Sequence, residues 1–418
     1  MESPTGAAQV VVTLQKNKRG YRCVSHAWLK NNLLAGVGYL ELANAGDFAA
    51  NVWNDIPVPR YAMILMAIGG PIALSASLVA ARDYYLSWQN VKLLITERKS
   101  LQLIPCPHKT IKGILGVNFR ELGTELIDRM FMDLLMGFGA LLVGAGTIMA
   151  IWGANHRLFE ASNLMSGFIG NGFAAFFGVV NAIWSAYLVY RFQVRYSACL
   201  TSPAIAPIRI RVLQRYRHLQ WHFGINGVNC LVAGMASMVT ARMWWGYIVL
   251  IPCVIVMIAS NLFWRRKLGY DRLIKQDLLH DILVDEKPQE QDACCDVLDT
   301  MTSTIVAHHT LPGIIGTAGL NDMIAFTVLN QIFEYFCVWL FREWPDHRAF
   351  NTLEETLHIS PYDLLGGSTE EQAQMASECG RFLSKAGSTL LDHRQRYLLE
   401  LAGEVVWWEQ AERYSDGN

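Results

Sequence analysis

Charge is what this chain has least of. Only 17% of its 418 residues are Asp, Glu, Lys or Arg, against roughly 25% in soluble domains. A globule of this length cannot be coated in water-seeking side chains at that density. The deficit has no sign: 35 basic and 36 acidic residues leave a net charge of −1, so nothing is set aside to hold a nucleic-acid backbone. Nine cysteines, an odd number, do not make a disulfide framework. The first 25 residues carry Lys16, Lys18, Arg19 and Arg22 with no apolar core behind them, so no secretory signal is visible. No Asn-x-Ser/Thr sequon occurs. Nor is there a Gly-x-x-x-x-Gly-Lys-Ser/Thr loop, a dinucleotide Gly-x-Gly-x-x-Gly, a Gly-x-Ser-x-Gly elbow or a His-Glu-x-x-His pair. The motifs therefore imply no cofactor. Internal repeats are not evident, which argues against a transporter built from inverted halves.

What the chain does have is apolar length. Its hydrophobic fraction is 52% and its mean hydropathy +0.22, which excludes disorder. Five stretches reach the roughly 20 residues a membrane helix needs: Tyr61 to Ala81, Met130 to Trp152, Leu164 to Tyr190, Trp221 to Ala241 and Trp244 to Trp264. The second and third carry small-residue faces, at Gly137, Gly139, Gly144 and Gly146 and at Gly167, Gly170 and Gly172, which permit close helix packing in lipid. The expected fold class is an all-α polytopic transmembrane helix bundle. It has five firm spans, up to seven or eight, with a helical cytosolic C-terminal region. The division expected is residues 1–54 (an N-terminal region), 55–345 (the bundle) and 346–418 (the tail).

Lys and Arg set the expected orientation. The segment between spans one and two holds eight, Arg82 through Arg129, whereas only Arg157 lies between spans two and three. Six arginines follow span three, Arg242 sits alone after span four, and Arg265, Arg266 and Lys267 close span five. The alternation places the basic segments and the C-terminal region in the cytosol. The expected location is a multi-pass integral membrane protein of the endoplasmic reticulum.

Two stretches are ambiguous. Leu33 to Trp53 is apolar but carries Glu41 and Asp47; Gly319 to Phe341 carries Asn321, Asp322, Asn330, Gln331 and Glu334. Either can be a polar-faced membrane helix or an interfacial one. An extra helix at Leu33 to Trp53 returns the basic N-terminal tail to the cytosol, and the reading leans that way. Tyr84 to Leu101 alternates at helical spacing and reads as an extension of the first span or an amphipathic surface helix. Cys106 and His108 lack a second matching pair for a metal site. Asp277, His280, Asp281 and Asp285 share a helix face, either solvated or metal-binding. Cys294 and Cys295 are free thiols or palmitoylation sites. Thr352 to Glu355 and Ser368 to Glu371 have the pattern of capping boxes.

An ionisable group in a bilayer is expensive and usually faces a cavity. The reading leaves three such acids beyond the uncertain first helix: Asp133, Asp322 and Glu334. Asp133 has a simple alternative, an ion pair with Arg129 at i, i+4. Rings surround Glu334 at Phe333, Tyr335, Phe336 and Trp339, and Phe168, Phe173, Phe176, Phe177 and Trp184 line the third span. A buried acid keeps its proton. It can then protonate an epoxide or alkene, and aromatic faces can stabilise the cations that follow. Paired carboxylates for magnesium and diphosphate ionisation, in the form Asp-Asp-x-x-Asp, are absent.

The stretch Tyr61 to Leu101 contains Gly69-Gly70-Pro71-Ile72-Ala73-Leu74, Ser87-Trp88-Gln89-Asn90 and Glu97-Arg98-Lys99. Together with the polytopic plan and Trp221 to Arg266, it resembles fungal integral membrane proteins. Among these it is most similar to the membrane-bound terpene cyclases of meroterpenoid pathways, of the ascofuranone and macrophorin type. The resemblance extends to the region of Phe341 and rests on no catalytic motif. It implies cyclisation of a farnesyl chain on a polyketide-derived ring, begun by protonating a terminal epoxide or alkene, without diphosphate loss. The expected partners are then a lipophilic prenylated polyketide, the bilayer and other pathway enzymes, with no nucleic acid. The expected catalytic residues are Glu334, Asp322 and Asp133; Phe333, Tyr335, Trp339 and Asn330 are expected to bind substrate, and no metal is expected. A small-molecule transporter and a non-catalytic membrane scaffold are the alternatives.

Overall fold

The computed structural model describes residues 11–17, 20–23, 27–53, 57–104, 109–274, 305, 313–315, 318–345, 347 and 356–416. The residues at 106, 108, 277, 280, 281, 285, 294, 295 and 352–355 named above lie outside them. The chain divides into two compact units. One comprises 1–29, 203–208 and 270–402; the other comprises 30–202, 209–269 and 403–418.

The second unit is the bundle. Short helices α1 (Leu40–Asn44) and α2 (Phe48–Val52) precede the long ones. The long helices are α3 (Arg60–Gln102), α4 (Lys109–Ala150), α5 (His156–Thr201), α6 (Arg209–Thr240) and α7 (Gly246–Leu268), and all five are long and apolar enough to cross a membrane. The chain is predominantly helical, and this unit is an all-α, multi-pass membrane bundle. Outward faces carry exposed apolar side chains at one-turn spacing, Ile64, Ile68 and Ile72 on α3 and Ile248, Ile251 and Ile255 on α7. Such faces belong against hydrocarbon rather than water.

Small residues set the helix spacing, as their pattern predicts. A methyl group at Gly144 of α4 would meet the Gly70 carbonyl oxygen of α3 at 2.8 Å, and one at Gly139 would meet the Gly170 carbonyl oxygen of α5 at 3.0 Å. Backbones approach this closely only without a Cβ. Ser162 Oγ adds a hydrogen bond to the Gly146 carbonyl at 2.8 Å. The amphipathic stretch after the first span is a continuation of α3. Leu33 to Trp53 is not one helix: a 3₁₀ turn (Ala35–Tyr39) leads into α1, and the chain breaks at Ala45 to Asp47 before α2.

The bundle also holds the last residues of the chain. Glu404 accepts from Arg191 Nη2 at 2.8 Å and Arg195 Nε at 3.2 Å. The Arg195 guanidinium lies 4.0 Å from the centre of the Trp407 ring.

The first unit mixes short strands and helices. Strand β1 (Val12–Asn17) pairs antiparallel with β2 (Gly20–Cys23) and with β5 (Thr356–Ile359); β3 (Ala27–Leu29) pairs with β4 (Arg272–Ile274). Val12, Leu14, Leu357 and Ile359 are buried in alternation, the period-2 pattern of a strand with one inward face. Helices α8 (Leu320–Leu329), α9 (Phe333–Glu343), α10 (Pro361–Leu365), α11 (Thr369–Phe382) and the first part of α12 (Ser388–Asp416) complete the unit. The capping box expected at Ser368 is formed: Glu371 N donates to Ser368 Oγ at 3.2 Å and Ser368 N donates to Glu371 Oε2 at 3.1 Å. Gly319 to Phe341 is two helices, not one. Ile332 N donates to the Thr327 carbonyl and Gln331 N to the Val328 carbonyl, both at 2.9 Å, with Gln331 at φ 55°. This is a Schellman stop. Ten residues at 1.5 Å each give α8 about 15 Å, half the hydrocarbon thickness.

Candidate functional site: a polar core in the membrane bundle

The bundle contains a cavity of about 60 Å³, room for about four waters at ~15 Å³ each. Apolar walls come from Met132, Phe177, Phe223, Met257 and Trp264; polar groups come from Asp128, Asn181, His222, Asn226 and Ser260. Asp128 stands on the turn Thr124–Phe131, where α4 widens into π-helix. Such widened turns recur at functional sites because they re-aim side chains.

Asp128 is held on one side only. Asn181 Nδ2 donates to its Oδ1 at 2.9 Å, and the Asn181 carbonyl oxygen accepts from Asn226 Nδ2 at 3.4 Å and Ser185 Oγ at 3.3 Å. This chain fixes the amide so that its nitrogen faces Asp128. Among the described residues, Oδ2 is buried with no hydrogen-bond partner. The Trp184 indole interacts with the carboxylate, but its Nε1 is also without hydrogen-bond geometry. Gly123 makes room for Trp184; a Cβ there would collide with the six-membered ring. Opposite, His222 Nδ1 and Ser260 Oγ share a hydrogen bond at 3.3 Å.

A charge cluster adjoins this cavity through Arg129, which also lines it. Arg129 Nε donates to Asp83 Oδ2 at 3.0 Å, and Nη1 donates to Glu125 Oε2 at 2.8 Å and Asn32 Oδ1 at 2.9 Å. Ser87 Oγ and Asn90 Nδ2 donate to Glu125 at 2.6 and 3.0 Å, and Leu34 N donates to Asp83 Oδ1 at 2.9 Å. Asp133, 3% exposed, is not paired with Arg129 as its i, i+4 spacing suggests. Arg129 is occupied by Asp83 on α3 and by Glu125 one turn earlier. Neither Asp133 oxygen has a hydrogen-bond donor, and its neighbour is the Asp83 carboxyl.

The other expected residues belong to the first unit. Glu334 Oε2 accepts from Trp28 Nε1 at 3.1 Å. Asp322 is exposed in the first turn of α8, where its charge faces the positive end of the helix dipole. Phe333 is buried in the unit's core with Phe336 and Phe382. Trp339 packs on Phe382 with Lys385 Nζ 5.6 Å from its ring centre. Tyr335 and Asn330 line a separate recess with Trp28, and the Trp28 and Tyr335 ring centres are 4.2 Å apart. Asn330, Tyr335 and Glu334 thus lie near one tryptophan, while Asp322, Phe333 and Trp339 do not join them.

Sequence reasoning missed Asp83, Glu125 and Asp128. They lie where a hydropathy window ends, and eight basic residues made 82–129 read as a water-exposed segment. The spacing Asp83, Ser87, Asn90, Glu97 on one helix face was the available signal; all four are buried. A further buried acid, Asp47 between α1 and α2, accepts from Tyr247 Oη at 2.7 Å. Burial pushes its carboxyl up to about 7, against the pull of hydrogen bonds from Tyr247, Asn51 and Asn171. Among the described residues, no three His, Cys, Asp or Glu side chains are grouped to hold a metal ion. Comparison with protein-family models, curated proteins and solved structures finds no match.

Proposed function

We propose that the chain is a membrane-bound cyclase for the prenyl chain of a meroterpenoid, with the bundle cavity as its reaction chamber and Asp128 as proton donor. One observation supports this reading: a buried Asp128 oxygen with no hydrogen-bond partner among the described residues, on the wall of a cavity that Phe177, Phe223 and Trp264 also line. Asp128, Arg129 and Trp264 lie at the ends of their apolar windows, so the cavity suits a substrate with a polar aromatic head and a hydrocarbon tail. The terminal isoprene unit enters, and the rest of the chain lies along the helix faces.

The Asp128 carboxyl gives its proton to the terminal epoxide oxygen or alkene carbon. The C–O bond or π bond supplies the cation, the next alkene's electrons form the new C–C bond, and Phe177, Phe223 and Trp264 offer their faces to the charge. His222 takes the proton the final cation loses, and water in the cavity returns it to Asp128. Substrate and product are isomers, so no other reactant is consumed. The orientation with basic segments in the cytosol, and residence in the endoplasmic reticulum, belong to the same proposal.

The test is expression in a host fed a farnesylated phenol. Wild type is expected to give a cyclised product and Asp128→Asn a linear one, with equal protein in the membrane. A linear chain from wild type sinks the cyclase reading. Activity lost in Glu334→Gln but kept in Asp128→Asn moves the acid to the first unit. The Asp83–Asp133 carboxyl pair favours a second reading, a proton-coupled small-molecule transporter. Its mark is substrate flux in proteoliposomes that Asp133→Asn abolishes.

A further inference from the structure

The first unit contains a recess of about 50 Å³ whose lining includes Trp28, Asn330, Tyr335, His393, Arg394 and Tyr397. Its polar atoms do not balance. Arg394 Nε and Nη1 are buried and have no acceptor among the described residues. Burial lowers this guanidinium to about 10, the response of a cation without its counter-charge; arginine nevertheless stays protonated at neutral pH. Asn330 Nδ2 donates to the Phe326 carbonyl at 2.9 Å, and its buried Oδ1 has no donor among the described residues. His393 Nδ1 accepts from Asp271 N at 3.2 Å. The ring proton is therefore on Nε2, and burial holds the imidazole below its ordinary range, neutral. Asp271 also lines the recess, but no hydrogen bond joins it to Arg394 Nε or Nη1.

The backbone at the rim is unusual as well. Gln331, which lines the recess, adopts φ 55°. It is the one described residue other than glycine with a positive φ, and such strain clusters at binding sites. Two aromatic residues, Trp28 and Tyr335, line the same recess with their ring centres 4.2 Å apart.

We propose that this recess binds the oxyanion head of a small molecule, a carboxylate or a phosphate. The fork of Arg394 holds the oxygens, and the Trp28 and Tyr335 rings take the flat body of the ligand. The volume fits: about 50 Å³ is space for about three water-sized groups, the size of such a head. Asn330 Oδ1 accepts from an O–H on the ligand. The inference is independent of the bundle cavity and holds whether or not that cavity is a cyclase site.

The test uses the full chain in detergent micelles, titrated with sodium benzoate and, separately, inorganic phosphate, following heat of binding and thermal unfolding. At least one of the two is expected to bind and raise the melting temperature. Benzoate alone assigns an aryl carboxylate; phosphate alone assigns a phosphate head. Arg394→Gln is expected to weaken binding at least tenfold while the ligand-free protein melts no lower than wild type, because an uncompensated charge has been removed. Arg394→Lys keeps the charge without the fork and retains part of the affinity. Absence of binding by both anions at 10 mM (about ten-thousandfold above a 1 μM dissociation constant) overturns the proposal. So does an undiminished shift in Arg394→Gln.

Discussion

The Arg129 guanidinium clasps Asp83 across two helices, with Nε and Nη2 each 3.0 Å from one carboxylate oxygen. Both side chains are buried, so the pair is sequestered from screening by solvent. Removing one member of such a pair strands the other.

Arg129→Ala is therefore expected to destabilise the bundle by about 3–5 kcal/mol. It leaves both Asp83 and Glu125 without their cation. Asp83→Asn with Arg129→Gln should cost clearly less than the sum of the two single changes, because the Asp83–Arg129 pair is then removed together and only Glu125 is left without its cation. Thermal unfolding in detergent measures both, and additive costs would refute the coupling.

Asp47 predicts a pH dependence. Its folded value of about 7 lies above the ordinary 3.8, so the folded protein binds this proton more tightly than the unfolded chain. The contribution is complete below about pH 4 and declines as pH rises through 7, by up to about 1.4 kcal/mol per unit. Asp47→Asn should flatten the stability profile between about pH 4 and 7. A variant profile as steep as that of wild type would show that another group titrates.

Gln331 holds a backbone conformation that glycine adopts without a Cβ penalty. Gln331→Gly is expected to stabilise the first unit by about 1 kcal/mol, read as slower amide exchange at Ile332 and in α9. A loss of protection there would mean that the Gln331 side chain contributes more than its backbone costs.

Glu404 ties the end of α12 into the bundle through Arg191 and Arg195, all three side chains nearly buried. Glu404→Ala should cost about 3–5 kcal/mol and expose Gly403 to Arg413 to limited proteolysis. Unchanged protease resistance would show that Gln410, donating to the Ala198 carbonyl at 2.8 Å, and the Trp407 contact suffice.

The five spans were legible because hydrocarbon demands long apolar runs, and no other constraint produces them at Tyr61 to Ala81 or Trp244 to Trp264. Gly144 and Gly170 were legible for a similar reason: small residues on one helix face serve close packing. The break at Gln331 was not legible, since no Gly or Pro marks it and the stop is made by backbone bonds alone. Sequence alone lends Asp322 and Glu334 similar standing, each an acid in a largely apolar stretch. Their different surroundings, one exposed at a helix start and one bound by Trp28, arise from long-range contacts. Strand β5 pairs with β1 across more than three hundred residues, a partnership no local pattern announces. Asp128 was hidden by Arg129 beside it, because adjacent charges read as water-facing until a helix turns them apart.

Helix α12 begins at Ser388 among residues of the first unit and ends among those of the bundle, and the chain enters each unit more than once. Neither unit is a contiguous cassette. A gene fragment that stops at residue 346 deletes part of the membrane bundle along with the tail, so loss of function after such a truncation assigns nothing to the tail. The same arrangement bars exchange of either unit with a relative by a single crossover. Chimeras and deletions of this protein have to be drawn along contacts rather than along the sequence.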